Sequence, residues 1–224
     1  MFRKITQSVY LVGGSGISAD ADCMVYALDL GELVLIDCGA GKGWARIRDN
    51  IHEAGFDPDT IHTLVLTHAH VDHIGAAHVV KEQSGCRIVA HILDADAIRT
   101  GDSVLTASGW YGISLPGVGI DRLMEGETDT LEFSKCNLEL VHTPGHTPGS
   151  IVALLEDDDE TVLFGQDIHG PFSDEFGSDI RKWKDSMQKL MELEADVLCE
   201  GHYGVFRPGE SVMNFIENHL RANA

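Results

Sequence analysis

The chain has 224 residues, 43% of them apolar and 23% charged, which suits a folded domain with a substantial core and excludes a disordered chain, a collagen-like repeat and a small disulfide scaffold. Sixteen Lys and Arg against 36 Asp and Glu leave a net charge of −20 with no basic block, so a nucleic-acid backbone is a poor partner. Residues 1–7 hold no apolar signal segment, no run reaches membrane-span length, and Cys23, Cys38, Cys86, Cys136 and Cys199 show no CxxC spacing. The expectation is a cytoplasmic protein with reduced thiols, no membrane partner and one mixed α/β domain over residues 1–224.

In chain order, 9–12, 24–28 and 33–36 read as strands separated by Gly-rich or acidic turns. Trp44, Ile47, Ile51 and Ala54 repeat at helical spacing up to Gly55. Residues 63–67 form an unbroken apolar strand, 74–82 look helical, and 87–91 return to strand. Residues 100–127 are the least regular stretch, with Gly101, Gly109, Gly112, Gly117, Gly119 and Pro116 among Trp110, Tyr111, Ile113 and Leu115. Such a loop is either a substrate wall or an irregular surface excursion, and Trp110 and Tyr111 are alternatively a contact in a homo-oligomer. Strands follow at 138–141, 151–155, 161–164 and 197–199, with helices marked by Ile180, Trp183, Met187 and Leu190 and by Val212, Phe215, Ile216 and Leu220.

Twelve histidines are many for this length, and their placement is uneven. Directly after the 63–67 strand comes Thr67-His68-Ala69-His70-Val71-Asp72-His73, four metal-ligating side chains within six residues. An HxH pair on extended or tightly turning backbone aims two imidazoles at one ion, and the following Asp-His pair enters a helix and turns toward a second. Packing alone gives no reason for this cluster, and burying it without a cation would leave polar groups unpaired. Three other segments also lie just past an apolar strand: Pro144-Gly145-His146-Thr147-Pro148-Gly149, Gly165-Gln166-Asp167 and Glu200-Gly201-His202. Strand ends of an α/β architecture converge on one rim.

HxHxDH, PGHTPGS, a strand-end Asp and a late Gly-His together resemble the metallo-β-lactamase superfamily, from about Val9 to Phe206. The resemblance implies a four-layer αββα sandwich with a two-metal site at one edge. It implies that His68, His70 and His146 hold one ion, that Asp72, His73 and His202 hold the other, and that Asp167 bridges them. Asp37 would orient a ligand imidazole from behind. Asp72 and His169 are the candidate catalytic groups. If the backbone after Asp167 stays extended, alternation turns His169 to the same face. His52, His62, His78, His91 and His219 read as structural or surface residues, His146 is preferred to His142 as the ligand, and Cys199 reads as a buried inert thiol.

The expected activity is hydrolysis of a small ester, thioester or lactone by two divalent ions, zinc first and iron or manganese as alternatives, through a metal-bridging hydroxide. The rival is a mononuclear-iron sulfur dioxygenase using His68, His146 and Asp167, and a phosphodiesterase ranks below both. The bridging Asp167 is unlike the true β-lactamases. The 22 residues after His202 are too few for the glutathione-binding region of glyoxalase II, and Gly170 stands where the quorum-signal lactonases have Tyr.

Overall fold

The computed structural model describes residues 1–223. Strands β1 (Arg3–Lys4), β2 (Val9–Gly13), β3 (Val25–Asp29), β4 (Leu33–Ile36), β5 (Ile61–Val65), β6 (Arg87–His91) and β7 (Arg122–Met124) form one sheet in chain order. β1 to β4 pair antiparallel, β4 to β7 parallel. The connections dictate the switch. A short turn joins β3 to β4, whereas helix α1 (Trp44–Glu53) carries the chain back before β5. Helices α2 (Val71–Ile74) and α3 (Ala77–Ser84) do so before β6, and α4 (Ala95–Thr100) and α5 (Ser108–Tyr111) before β7.

The second sheet holds β8 (Thr128–Glu132), β9 (Asn137–His142), β10 (Ile151–Asp157), β11 (Glu160–Gln166), β12 (Val197–Glu200) and β13 (Val205–Phe206), in the spatial order β13-β12-β11-β10-β9-β8. Its one parallel pair is β11 with β12, joined by helix α6 (Ile180–Glu192). Helix α7 (Gly209–Ala222) follows β13. The Asp179 side chain caps α6 by accepting from the N–H groups of Arg181 and Lys182.

The period of two along each strand builds the layers. On β4, Val34 and Ile36 face the second sheet, where they pack with Leu138, Leu140, Ala153 and Phe164. Leu33 and Leu35 point the other way, to Ile47 and Ile51 of α1 and Val80 of α3. On the second sheet's outer face, Val152, Leu163 and Leu198 meet Trp183, Met187 and Leu190 of α6 and Phe215 of α7. The result is the expected helix–sheet–sheet–helix order. Because both faces are covered along β4 and along the central parts of β10 and β11, residues 33–36, 151–155 and 162–164 read as continuous apolar runs. Among the described residues, no helix is long and apolar enough to cross a membrane.

Several elements differ from the sequence expectation. The 63–67 strand runs from Ile61 to Val65: Leu66 N–H makes the last ladder bond, to Val89 O, and Thr67 N–H then donates to Asp37 Oδ1, off the ladder. The helix expected over 74–82 is two helices, α2 and α3. Gly75 separates them, and a Cβ there would fall 2.3 Å from the Ala40 carbonyl carbon. Residues 100–127 hold α5 and strand β7, and β8 follows; none of these was expected. The short edge strands β1 and β13 were also not expected.

Candidate metal centre

The carboxyl ends of β5, β11 and β12, together with the β9–β10 turn, meet at one rim of the sandwich. After β5 the chain runs extended through His70 (φ −70°, ψ 143°) and then enters α2, so His68 and His70 precede the helix while Asp72 and His73 lie on it. His146 sits in the turn between β9 and β10. There Gly145 adopts φ 141°, and a Cβ would fall 2.4 Å from the Cα of Trp183. Gly145→Ala is therefore expected to cost at least about 2 kcal/mol and to push the His146 turn off α6. Thermal melts of the purified variant check this, and an unchanged Tm would refute it.

The seven side chains expected as ligands come together in two groups. His68 Nε2, His70 Nδ1 and His146 Nε2 approach one another to 3.1, 3.2 and 2.8 Å. Asp167 Oδ2 faces this group, 3.8 Å from His68 Nε2 and 3.5 Å from His146 Nε2. Its other oxygen, Oδ1, lies 3.1 Å from His73 Nε2 and 3.2 Å from His202 Nε2. Asp72 Oδ2 completes the second group at 3.3 Å from His202 Nε2 and 3.6 Å from His73 Nε2. Six of the seven are buried; His202 is exposed and forms the solvent edge.

Hydrogen bonds behind the cluster fix which nitrogens face it. His146 Nδ1–H donates to the Pro171 carbonyl at 2.7 Å, which leaves Nε2 bare in the neutral ring. His73 Nδ1–H donates to Asp37 Oδ2 at 2.7 Å. Thr67 Oγ1–H donates to the same Asp37 oxygen and accepts from His68 Nδ1 at 3.2 Å. Asp37 thus orients two imidazoles, one directly and one through Thr67. Burial first, and neighbouring imidazoles second, hold His68 well below the usual histidine range. Burial lowers His70 to about 4, and burial and His70 lower His146 to about 3. Three neutral imidazoles with lone pairs converging at about 3 Å repel unless a cation sits among them. His73 Nε2 and Asp167 Oδ1 are buried without an aligned hydrogen-bond partner, and Asp72 and His202 extend the same set. The donor set fits metal ions in both groups.

The second group carries protons when no cation is bound. Burial opposes charge on His202, but the Asp167 and Asp72 carboxylates, 3.2 and 3.3 Å from its Nε2, outweigh it and raise the imidazole to about 10. Burial likewise opposes charge on His73, and Cys23, Asp167, Asp37 and Asp72 override it.

His169 lines the cleft above the cluster, though not by strand alternation. Gln166 takes φ 43°, Ile168 N–H donates to Gln166 O, and Gly170 N–H donates to Asp167 O, so the chain turns instead of extending. Its Nδ1 lies 2.5 Å from Glu200 Oε1, and Glu200 Oε2 accepts from the N–H groups of His202 and Tyr203. His219 reaches this corner too, its ring 6.2 Å from that of His169, so it is more than a remote surface residue. His142 stays outside the cluster, stacked on His91 at 3.9 Å. Cys199 is fully buried, and burial pushes its thiol pKa up.

Sequence reasoning missed two acidic residues. Asp94 is buried and accepts from Ala69 N–H at 2.9 Å, Thr147 Oγ1–H at 2.7 Å and Gly149 N–H at 2.7 Å. It thereby ties the HxH segment to the His146 turn. The signal was available, since Asp94 follows the β6 strand as Asp167 follows β11. Glu200 was seen only as part of its tripeptide, not as the group that holds both His169 and the His202 backbone.

The cleft itself holds about 200 Å³ and is walled by Trp110, Tyr111 and Phe176. Burial and the nearby Asp72 push the Tyr111 phenol up to about 12, so it remains a proton donor at neutral pH.

Comparisons with known proteins agree with this architecture. A chain from Cronobacter sakazakii described as a metallo-beta-lactamase superposes with a TM-score of 0.83 at 20% identity, covering 99% of this chain and 94% of the other. A probable metallo-hydrolase, YqgX of Bacillus subtilis, is 35% identical over 132 residues, 58% of this chain and 59% of that protein. The match therefore spans less than two thirds of that relative's length. The acyl-coenzyme A thioesterase MBLAC2 of Gallus gallus is 29% identical over 195 residues, 75% of this chain and 68% of that protein. With the family profile matching residues 20–202 across all four ligand-bearing segments, the chain belongs to the metallo-beta-lactamase superfamily.

Proposed function

We propose that the chain is a dinuclear-metal hydrolase, with zinc the expected ion, acting on a small ester, thioester or lactone. The observation that carries this reading is Asp167, whose two oxygens face two separate groups of nitrogen and oxygen donors. His68, His70 and His146 would hold one ion, Asp72, His73 and His202 the other, and Asp167 both. A bound pair of divalent ions brings the pKa of a water near neutrality and polarises a carbonyl oxygen.

The protein's own groups do the rest. Asp37, Thr67 and the Pro171 carbonyl keep the ring protons of His73, His68 and His146 on the outward nitrogens. Asp72 takes up the proton released when the water oxygen adds to the carbonyl carbon. The C–O or C–S bond then breaks, the departing atom takes the proton that Asp72 took up, and His169, held by Glu200, hydrogen-bonds that atom. The aromatic walls exclude bulk water. The cleft's size suits a small-molecule substrate, and residues 1–223 serve as one unit around it.

Metal analysis of protein purified without added metal tests the reading, with two ions per chain expected. One iron per chain, with oxygen uptake on a persulfide, would favour the dioxygenase instead. Chelation should abolish ester and thioester cleavage, and zinc should restore it. Because His73 and His202 are held charged in the metal-free chain, zinc uptake should release protons and weaken as pH falls. A weakly buffered titration with a pH indicator measures that release.

A further inference from the structure

The cleft has two chemically different ends. At the three-histidine end Phe176 is buried, its ring 4.4 Å from that of His70 and 5.9 Å from that of His146. Trp110 stands against Phe176 at 5.4 Å, 64° from parallel, and is itself 59% exposed. Its indole N–H donates to Glu175 Oε2 at 3.1 Å, so α5 is latched to the Asp174–Phe176 turn and the two segments form one aromatic wall. At the opposite end the rings of His169 and His202 lie 5.5 Å apart, with Tyr203 behind His169 at 4.9 Å.

The wall has no cationic complement. Among the described residues lining the cleft none is Lys or Arg, and the carboxylates present are Asp72 and Asp167. Glu175 adds another carboxylate beside Trp110, on a chain of net charge −20. With the metal positions taken up by the reacting carbonyl and water, a carboxylate laid along Trp110 and Phe176 would lose water, find no Lys or Arg lining the cleft and face Glu175. An alkyl or aryl group in the same place gains free energy in proportion to the apolar area it removes from water.

We propose, resting on the hydrolase reading above, that the cleft selects esters and thioesters whose acyl group is uncharged and apolar. The acyl group lies along Trp110 and Phe176, and the leaving atom lies toward His169. This arrangement discriminates against substrates that carry an anionic group on the acyl side. Trp110 is then a specificity-determining residue, placed by Glu175.

The test uses the zinc-loaded protein and two chromogenic esters matched in acyl length, 4-nitrophenyl butyrate and 4-nitrophenyl hemisuccinate. kcat/KM for the neutral ester should exceed that for the anionic one by at least about tenfold, a difference of about 1.4 kcal/mol. Trp110→Lys should narrow that ratio by at least about tenfold, mainly by raising turnover of the hemisuccinate. A merely structural role for Trp110 would lower both esters alike. The uncleaved pair butyranilide and succinanilic acid, titrated calorimetrically, reports binding without turnover and should show the same preference. Equal kcat/KM for the two esters, with cleavage still metal-dependent, would overturn the selectivity and leave the hydrolase reading standing. Cleavage of neither ester, with butyranilide still preferred, would count against the hydrolase reading and support the apolar wall.

Discussion

Asp167→Asn is expected to lower bound metal from two ions per chain to one or none and to cut ester or thioester cleavage by about 10³-fold, the upper end of what loss of one electrostatic group costs. Asn keeps the shape of the side chain but offers one acceptor oxygen instead of two. Its amide hydrogens would face either the nitrogens of His68 and His146 or those of His73 and His202. One of the two groups thus gains a donor where it needs an acceptor. The loss cannot be repaired by a neighbour, because Asp72 Oδ2 is placed with His73 and His202 only. Elemental analysis and initial rates on the folded variant decide the matter. Two ions retained with activity within tenfold of wild type would remove Asp167 from the bridging position.

The second large effect falls on a residue that touches none of the seven. Asp94→Ala should destabilise the protein by about 3 kcal/mol, because three donors, on Ala69, Thr147 and Gly149, lose one buried acceptor and each unsatisfied group costs about 1–3 kcal/mol. Part of that cost is offset. Burial already opposes charge on Asp94 and raises its pKa, so removing the carboxylate also removes a desolvation penalty. For a chain of this size 3 kcal/mol corresponds to a fall in Tm of roughly 6–12 °C. Because Asp94 joins the HxH segment to the His146 turn, zinc affinity should also fall, by about 10–100-fold. Asp94→Asn keeps one acceptor oxygen, enough for Ala69 N–H and Thr147 Oγ1–H or for Gly149 N–H but not for both sides, and should recover part of both losses. A Tm within a degree of wild type for the Ala variant would show that the two segments hold their places without it.

The histidine cluster was legible because metal ligation demands particular side chains at fixed spacing after a strand, and His68 to His73 meet that demand within six residues. The layered order was legible only through the family resemblance that those motifs carry; unbroken apolar runs such as 33–36 pointed to strands and no further, and both their faces prove to be covered. What escaped detection lacks such a signature. β8 is Thr-Asp-Thr-Leu-Glu with only Leu131 buried, an edge strand held by its neighbour β9 and not by its own pattern. β7 lies beyond a Gly-rich stretch and pairs with β6 over three residues. His169 lines the cleft for a reason that periodicity does not contain, a turn opened by positive φ at Gln166. Phe176 came from a segment with no regular pattern, and its packing against His70 is a tertiary fact.

The seven donors are divided between the two leaves of the sandwich. His68, His70, Asp72 and His73 follow a strand of the first sheet, and His146, Asp167 and His202 follow strands of the second. Elsewhere the leaves are joined by apolar packing, which tolerates small slippage, and by polar links such as Asp94 to Thr147 and Thr6 and Ser8 to Asp157; coordination bonds would be stiffer than either. Ions gripping both leaves would act as a clasp along one border, so that prying this border apart requires surrendering the cargo. Catalytic readiness and mechanical closure of this border would then be a single property.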